Sequence, residues 1–129
     1  MIVEKLRACE IEYLEDIQCV IQHWTSYTGS IYFREGINKT VEIFKNKKRV
    51  TKIISDTLVL GVVKKEDTDW VAQVINPILI KLGLRKIGFI IPKSTVGQMA
   101  VDNYKNESKG ALAVQYFDNM QDALKWMQE

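Results

Sequence analysis

Apolar and polar residues alternate along this chain with two distinct periods, and the switches between them delimit its elements. Cys9, Ile11 and Tyr13 alternate with Glu10 and Glu12, the pattern of a strand with one buried and one wet face. Ile17, Cys19 and Ile21 repeat it against Gln18 and Gln22, with Val20 out of phase. Both apolar sets face one core if Tyr13 pairs with Ile17, Ile11 with Cys19 and Cys9 with Ile21, leaving Leu14-Glu15-Asp16 as the hairpin loop. The period then turns helical. Phe33, Ile37, Val41 and Phe44 mark the buried stripe of a first helix, with Thr28 and Ser30 as cap hydroxyls and a cationic end near Lys45 to Lys48.

A β-branched run from Val50 to Ser55 reads as a buried strand with Asp56-Thr57 at its C-terminal end. Trp70, Val71, Val74, Ile75, Ile78, Leu79 and Leu82 predict a second amphipathic helix, kinked at Pro77 and stopped at Gly83. Lys86 to Ile91 is the next strand, and a helix over about Ser94 to Lys105 follows it. Ala111 to Phe117 is the last strand. Asp118, three residues before Gln121, reads as the capping-box residue of a final helix that buries Met120, Leu124 and Met127. The succession is an α/β domain with a mixed sheet of about five strands and about four helices. An antiparallel hairpin precedes three β/α units with parallel strands.

Length and composition narrow the class. A chain of 129 residues, 47% hydrophobic and 26% charged, fits one globular domain spanning 1–129. Its formal charge of +2 does not call for a polyanionic partner. Charges interrupt the first ten residues, which excludes a signal peptide, and no apolar run is long enough to span a bilayer. Cys9 and Cys19 are the only cysteines. On the hairpin register above they share a face diagonally, ~7–8 Å apart and too far for a disulfide. They read as packing residues, and the chain as cytoplasmic.

Several spaced motifs together carry a family resemblance. They are Trp24 before a Tyr-containing loop, Phe33-Arg34-Glu35-Gly36, and Ser55-Asp56-Thr57 followed by Leu60-Gly61-Val62. Asp69-Trp70, Gly83-Leu84-Arg85-Lys86 leading to Pro92, Tyr116-Phe117-Asp118, and Ala123-Leu124-Lys125-Trp126 complete the set. From about Trp24 to Trp126 the chain resembles the STAS-like proteins (sulfate transporter and anti-sigma factor antagonist), specifically the stage II sporulation protein AA-like set. The resemblance implies a STAS-like α/β fold, a bacterial cytoplasmic origin and a role without catalysis. The wider fold includes CRAL-TRIO lipid-transfer domains, so an apolar or lipid-like ligand follows by analogy alone. One departure is plain. The phosphorylatable hydroxyl of anti-sigma factor antagonists has only Thr68 as its counterpart, set among Glu66, Asp67 and Asp69, which would repel a phosphate.

The residues hold no catalytic constellation and no metal motif, and they imply no cofactor. Asp56 ends a parallel strand, where open α/β sheets place ligands, so it is read either as a ligand-orienting group or general base or as a cap of the following loop. His23, the single histidine, reads as a strand-end residue far from Cys19. Lys45, Lys47, Lys48, Arg49 and Lys52 lack interleaved aromatics and read as a solvated helix end rather than a nucleic-acid surface. Trp24, Trp70 and Trp126 default to core packing, with Trp70 the one nearest the Asp56 loop. The expected function is a non-enzymatic binding or regulatory module. A rim of Asp56, Thr57, Leu60, Gly61 and Trp70 would meet a protein partner or small apolar ligand. The alternatives are a small enzyme with Asp56 as base and a structural homodimer with Trp126 near its contact.

Overall fold

A computed structural model of the chain describes residues 2–95 and 112–129. Six strands, β1 (Ile2–Lys5), β2 (Cys9–Leu14), β3 (Cys19–Trp24), β4 (Lys52–Asp56), β5 (Lys86–Ile90) and β6 (Ala113–Phe117), form one sheet in sequence order. β1, β2 and β3 pair antiparallel, and β3 through β6 pair parallel. The α/β class and mixed sheet match the sequence reading. The added strand is β1, a short edge whose register shifts between Ile2 and Glu4 and whose charged residues hide its period.

Two helical layers cover the sheet. On one face lie α1 (Ser30–Asn46), then α2 (Lys65–Trp70), a π-helical turn (Val71–Ile75) and α3 (Asn76–Lys81). On the other lies α4 (Met120–Met127), packed by Ala123 and Met127 against Ile54, Ile90 and Phe117. No helix among the described residues is long and apolar enough to cross a membrane. The helix expected over about Ser94 to Lys105 falls largely outside the described residues, as do Gly110 and Ala111 before the last strand.

This double cover overturns the expected hairpin register. Tyr13 pairs with Val20, Ile11 with Gln22 and Cys9 with Trp24. A 3-10 turn, Glu15–Ile17, and a left-handed Gln18 at φ 57° make the connection longer than expected. Val20 and Trp24 therefore face α1, while Cys19 and Ile21 face the layer of α4. The expectation of one wet face failed because β3 is buried on both sides, so its out-of-phase Val20 is as much core as its neighbours. Cys9 and Cys19 consequently lie on opposite faces, both free and buried, and desolvation pushes each thiol up to about 12.

The other differences are local. α1 is capped by Gly29 at φ 130°, which has no side chain to accept a bond, so neither Thr28 nor Ser30 is the cap, and the Ser30 hydroxyl donates to Asp67 instead. In the second helical segment only Ile75 and Leu79 of the expected stripe are buried, while Val74 and Ile78 are exposed. Pro77 lacks an N–H and its ring would crowd the carbonyl one turn back. The chain widens just before it into a π turn, with Asn76 N–H bonded to Val71 C=O, and this rotates the apolar face.

The cap of α4 is Asn119, not Asp118. Asn119 Oδ1 accepts from Asp122 N–H at 2.8 Å, while Asp118 accepts from the Asn119 amide at 2.6 Å. Asn119→Ala is expected to lower stability by about 1 kcal/mol, the usual worth of such a cap, and Asp118→Ala by less. Urea melts of the two variants read the difference.

Candidate functional site

The row of paired residues Gln22, Ser55 and Phe89 crosses β3, β4 and β5 on the face beneath α1. Two polar side chains thus sit side by side in the middle of an otherwise apolar sheet face. Above them the layers do not close. A cavity of about 410 Å³ lies between β3–β5, α1 and the α2–α3 segment. Phe33 and Ile37 line it from α1, Ile75 and Leu79 from the opposite segment, and Ile53 and Ile87 from the sheet. A volume of this size with apolar walls and a few convergent polar groups has the make-up of a small-molecule site.

The polar floor is held as one network. Trp24 lies stacked on Phe33, centroids 5.0 Å apart, and its indole N–H is shared between Gln22 Oε1 at 3.2 Å and Ser55 Oγ at 3.1 Å. Gln22 Nε2 donates to Thr40 Oγ1 at 2.8 Å, and Thr40 in turn donates to the Gly36 carbonyl at 3.0 Å. Gln22 is 4% and Ser55 5% exposed. A polar residue inside each of two buried strands, Val20-Ile21-Gln22 and Ile53-Ile54-Ser55, was the sequence signal for this floor.

Of the rim expected from the sequence, Thr57, Leu60 and Gly61 line the cavity. They belong to the loop after β4, where Gly61 at φ 77° takes the left-handed turn that glycine tolerates. Leu60 is buried, whereas Leu58, Val59 and Val62 are exposed, Val62 at 92%. Asp56 is not in the cavity. It follows Ser55 on the strand and so faces the opposite side of the sheet, in register with His23 and Ile90. Its carboxylate accepts from Leu58 N–H at 3.3 Å, the loop-capping geometry. His23 lies beside it on β3 and meets Glu12 at 3.0 Å, a bond that heads the causes lowering the Glu12 pKa. Among the described residues no group of three or more His, Cys, Asp or Glu side chains is placed to hold a metal.

Trp70 also stands outside the cavity lining. Its ring carries the Arg34 guanidinium at 4.5 Å, and that arginine belongs to a cluster the sequence did not disclose. Asp67 is 0% exposed and accepts from Tyr27 Oη at 2.6 Å, Ser30 Oγ at 2.9 Å and Arg34 Nε at 2.8 Å. Burial pushes its carboxyl up, but the three donors outweigh it and hold the pKa below the ordinary 3.8. With the Tyr27 N–H to Leu60 C=O bond of 2.9 Å, this cluster fastens the start of α2 and the loop after β4 to the start of α1. Asp69 pairs with Lys65 at 2.8 Å, so two of the three acids around Thr68 are already compensated. The phosphate repulsion expected there is weaker than the bare sequence implies. Comparison of the chain with protein-family models, curated proteins and solved structures finds no match.

Proposed function

We propose that this chain is a non-catalytic binding module that holds a small apolar ligand between its sheet and the layer of α1, α2 and α3. The observation that carries this reading is the 410 Å³ cavity, walled by aliphatic and aromatic side chains over a polar floor. No charged residue lines it among the described residues, which leaves acid–base chemistry without a carrier there. The reading with Asp56 as base draws no support from its position across the sheet. Kinship with STAS-like modules is part of the same proposal and rests on the spaced motifs quoted above. The exposed Leu58, Val59 and Val62, on the loop that also lines the cavity, favour a protein partner at the same rim as a second reading.

The test uses the neutral solvatochromic ketone prodan. The full chain is expected to bind it saturably at one site, with a blue shift in emission. Leu79→Trp, which puts an indole where a buried leucine lines the cavity, is expected to weaken binding by about tenfold or more through lost volume. Far-UV circular dichroism checks that the variant folds. Equal affinity in the folded variant would place the dye elsewhere and defeat the proposal.

A further inference from the structure

The donors and acceptors on the cavity floor define what its occupant must supply. The indole N–H of Trp24 is a donor only, so the Gln22 atom that faces it is the amide oxygen. The amide nitrogen therefore faces Thr40 and spends one proton on its hydroxyl oxygen. The Thr40 proton goes to the Gly36 carbonyl. Ser55 Oγ accepts from the indole and keeps its own proton. On the buried floor two donors remain without a protein acceptor among the described residues: the Ser55 hydroxyl and the second N–H of Gln22. Both residues are more than nine-tenths buried and both line the cavity.

Charge supplies the second half. None of the 18 described lining residues is a Lys, Arg, His, Asp or Glu. Arg34, at the start of α1, is committed to Asp67 and to the Trp70 ring. A carboxylate brought to this floor would find two neutral donors and no counter-charge. Burying an uncompensated ion costs far more than burying the same oxygen on a neutral carbonyl.

We infer that the cavity selects a neutral apolar molecule bearing a hydrogen-bond-accepting oxygen, such as a ketone or ester, and rejects carboxylates of the same size. The oxygen accepts from Ser55 and Gln22, and the hydrocarbon part lies against Ile37, Ile75, Leu79 and Ile87. This inference rests on the proposed binding function and names the chemistry of its ligand.

The experiment is competition against bound prodan by methyl heptyl ketone, methyl octanoate and sodium nonanoate at neutral pH. The ketone and ester are expected to compete about tenfold or more better than nonanoate. Ser55→Ala, compared at matched thermal stability, is expected to weaken the ketone by roughly fivefold, one neutral hydrogen bond. As a readout that needs no variant, the carbonyl carbon of labelled ketone should shift downfield on binding relative to its value in hydrocarbon solvent. Nonanoate competing as well as the ketone, or a carbonyl signal at the hydrocarbon value, overturns the inference and leaves the cavity function standing. If prodan binds but none of the three displaces it, the inference fails. If prodan itself does not bind, the proposed function falls with it.

Discussion

Asp67→Ala is expected to lower the unfolding free energy of this protein by about 3 kcal/mol in urea melts at neutral pH, the loss of a buried carboxylate that accepts several hydrogen bonds. The carboxylate is fully buried and accepts three hydrogen bonds, one of them from the Arg34 guanidinium. Bonds to a charged acceptor are worth more than neutral ones, and the Tyr27 and Ser30 hydroxyls would lose their acceptor in a half-buried place. Arg34 loses less, since it is partly solvated and remains over Trp70.

The same residue gives the stability curve an acid limb. Its folded pKa lies below the ordinary 3.8, so the unfolded chain takes up the proton first as pH falls. The stabilisation is present above the unfolded value and is lost as pH drops through the depressed folded one. Glu12, lowered by its bond to His23, acts in the same direction, so the measurement is a difference. Asp67→Asn should lose less stability than wild type below about pH 4, keeping only the share that Glu12 and other carboxylates supply. If Asp67→Asn and wild type lose stability in parallel down to the lowest pH, the carboxylate is not the hub drawn from its three bonds.

Gly36→Val is expected to destabilise by about 2–3 kcal/mol and to weaken prodan binding with it. Gly36 lies in the buried face of α1, where a Cβ would stand 2.8 Å from Trp24 Cη2, 3.0 Å from Cζ3 and 3.1 Å from Cys9 Cβ. The indole cannot swing away without cost, because it is stacked on Phe33 and bonded to Gln22 and Ser55. Either the helix rises from the sheet or the floor of the cavity is rearranged. Gly36→Ala meets the first atoms of the same clash, but gains about 1 kcal/mol of helix propensity that offsets part of it. A Gly36→Val protein with unchanged stability and unchanged dye affinity would show that α1 does not sit this close to the indole.

Apart from β1, which stretches of the described residues are strand and which helix was largely legible from the chain alone, because periodicity is a local property of the backbone. Phe33, Ile37, Val41 and Phe44 lie buried on α1 as their spacing requires. The strand before Asp56, the strand from Lys86 and the closing helix also stand where the pattern put them, within a residue or two. What periodicity does not carry is which layer a side chain meets. Val20 and Cys19 are both core, on opposite faces, and only the presence of α4 on the second face makes that allowed. The register of β2 on β3 followed from that cover and not from the alternation.

The site divides the same way. Thr57, Leu60 and Gly61 were reachable because a loop after a parallel strand is a general place for ligands in such sheets. The residues that give the cavity its chemistry are Gln22, Trp24, Thr40 and Ser55, brought together from three separate elements. Asp67 likewise meets donors from more than thirty residues away. Strand pairing and helix packing alone bring these groups together, since a hydrogen bond depends on distance in space while the chain records only distance in sequence. The amino-acid sequence by itself determined the class of an α/β sheet, most of its elements and a loop able to line a site. The tertiary structure decided that the candidate site is an open-sided apolar space whose floor keeps two donors without a protein acceptor among the described residues, because that space exists only where the sheet, α1 and the α2–α3 segment fail to fill the volume between them.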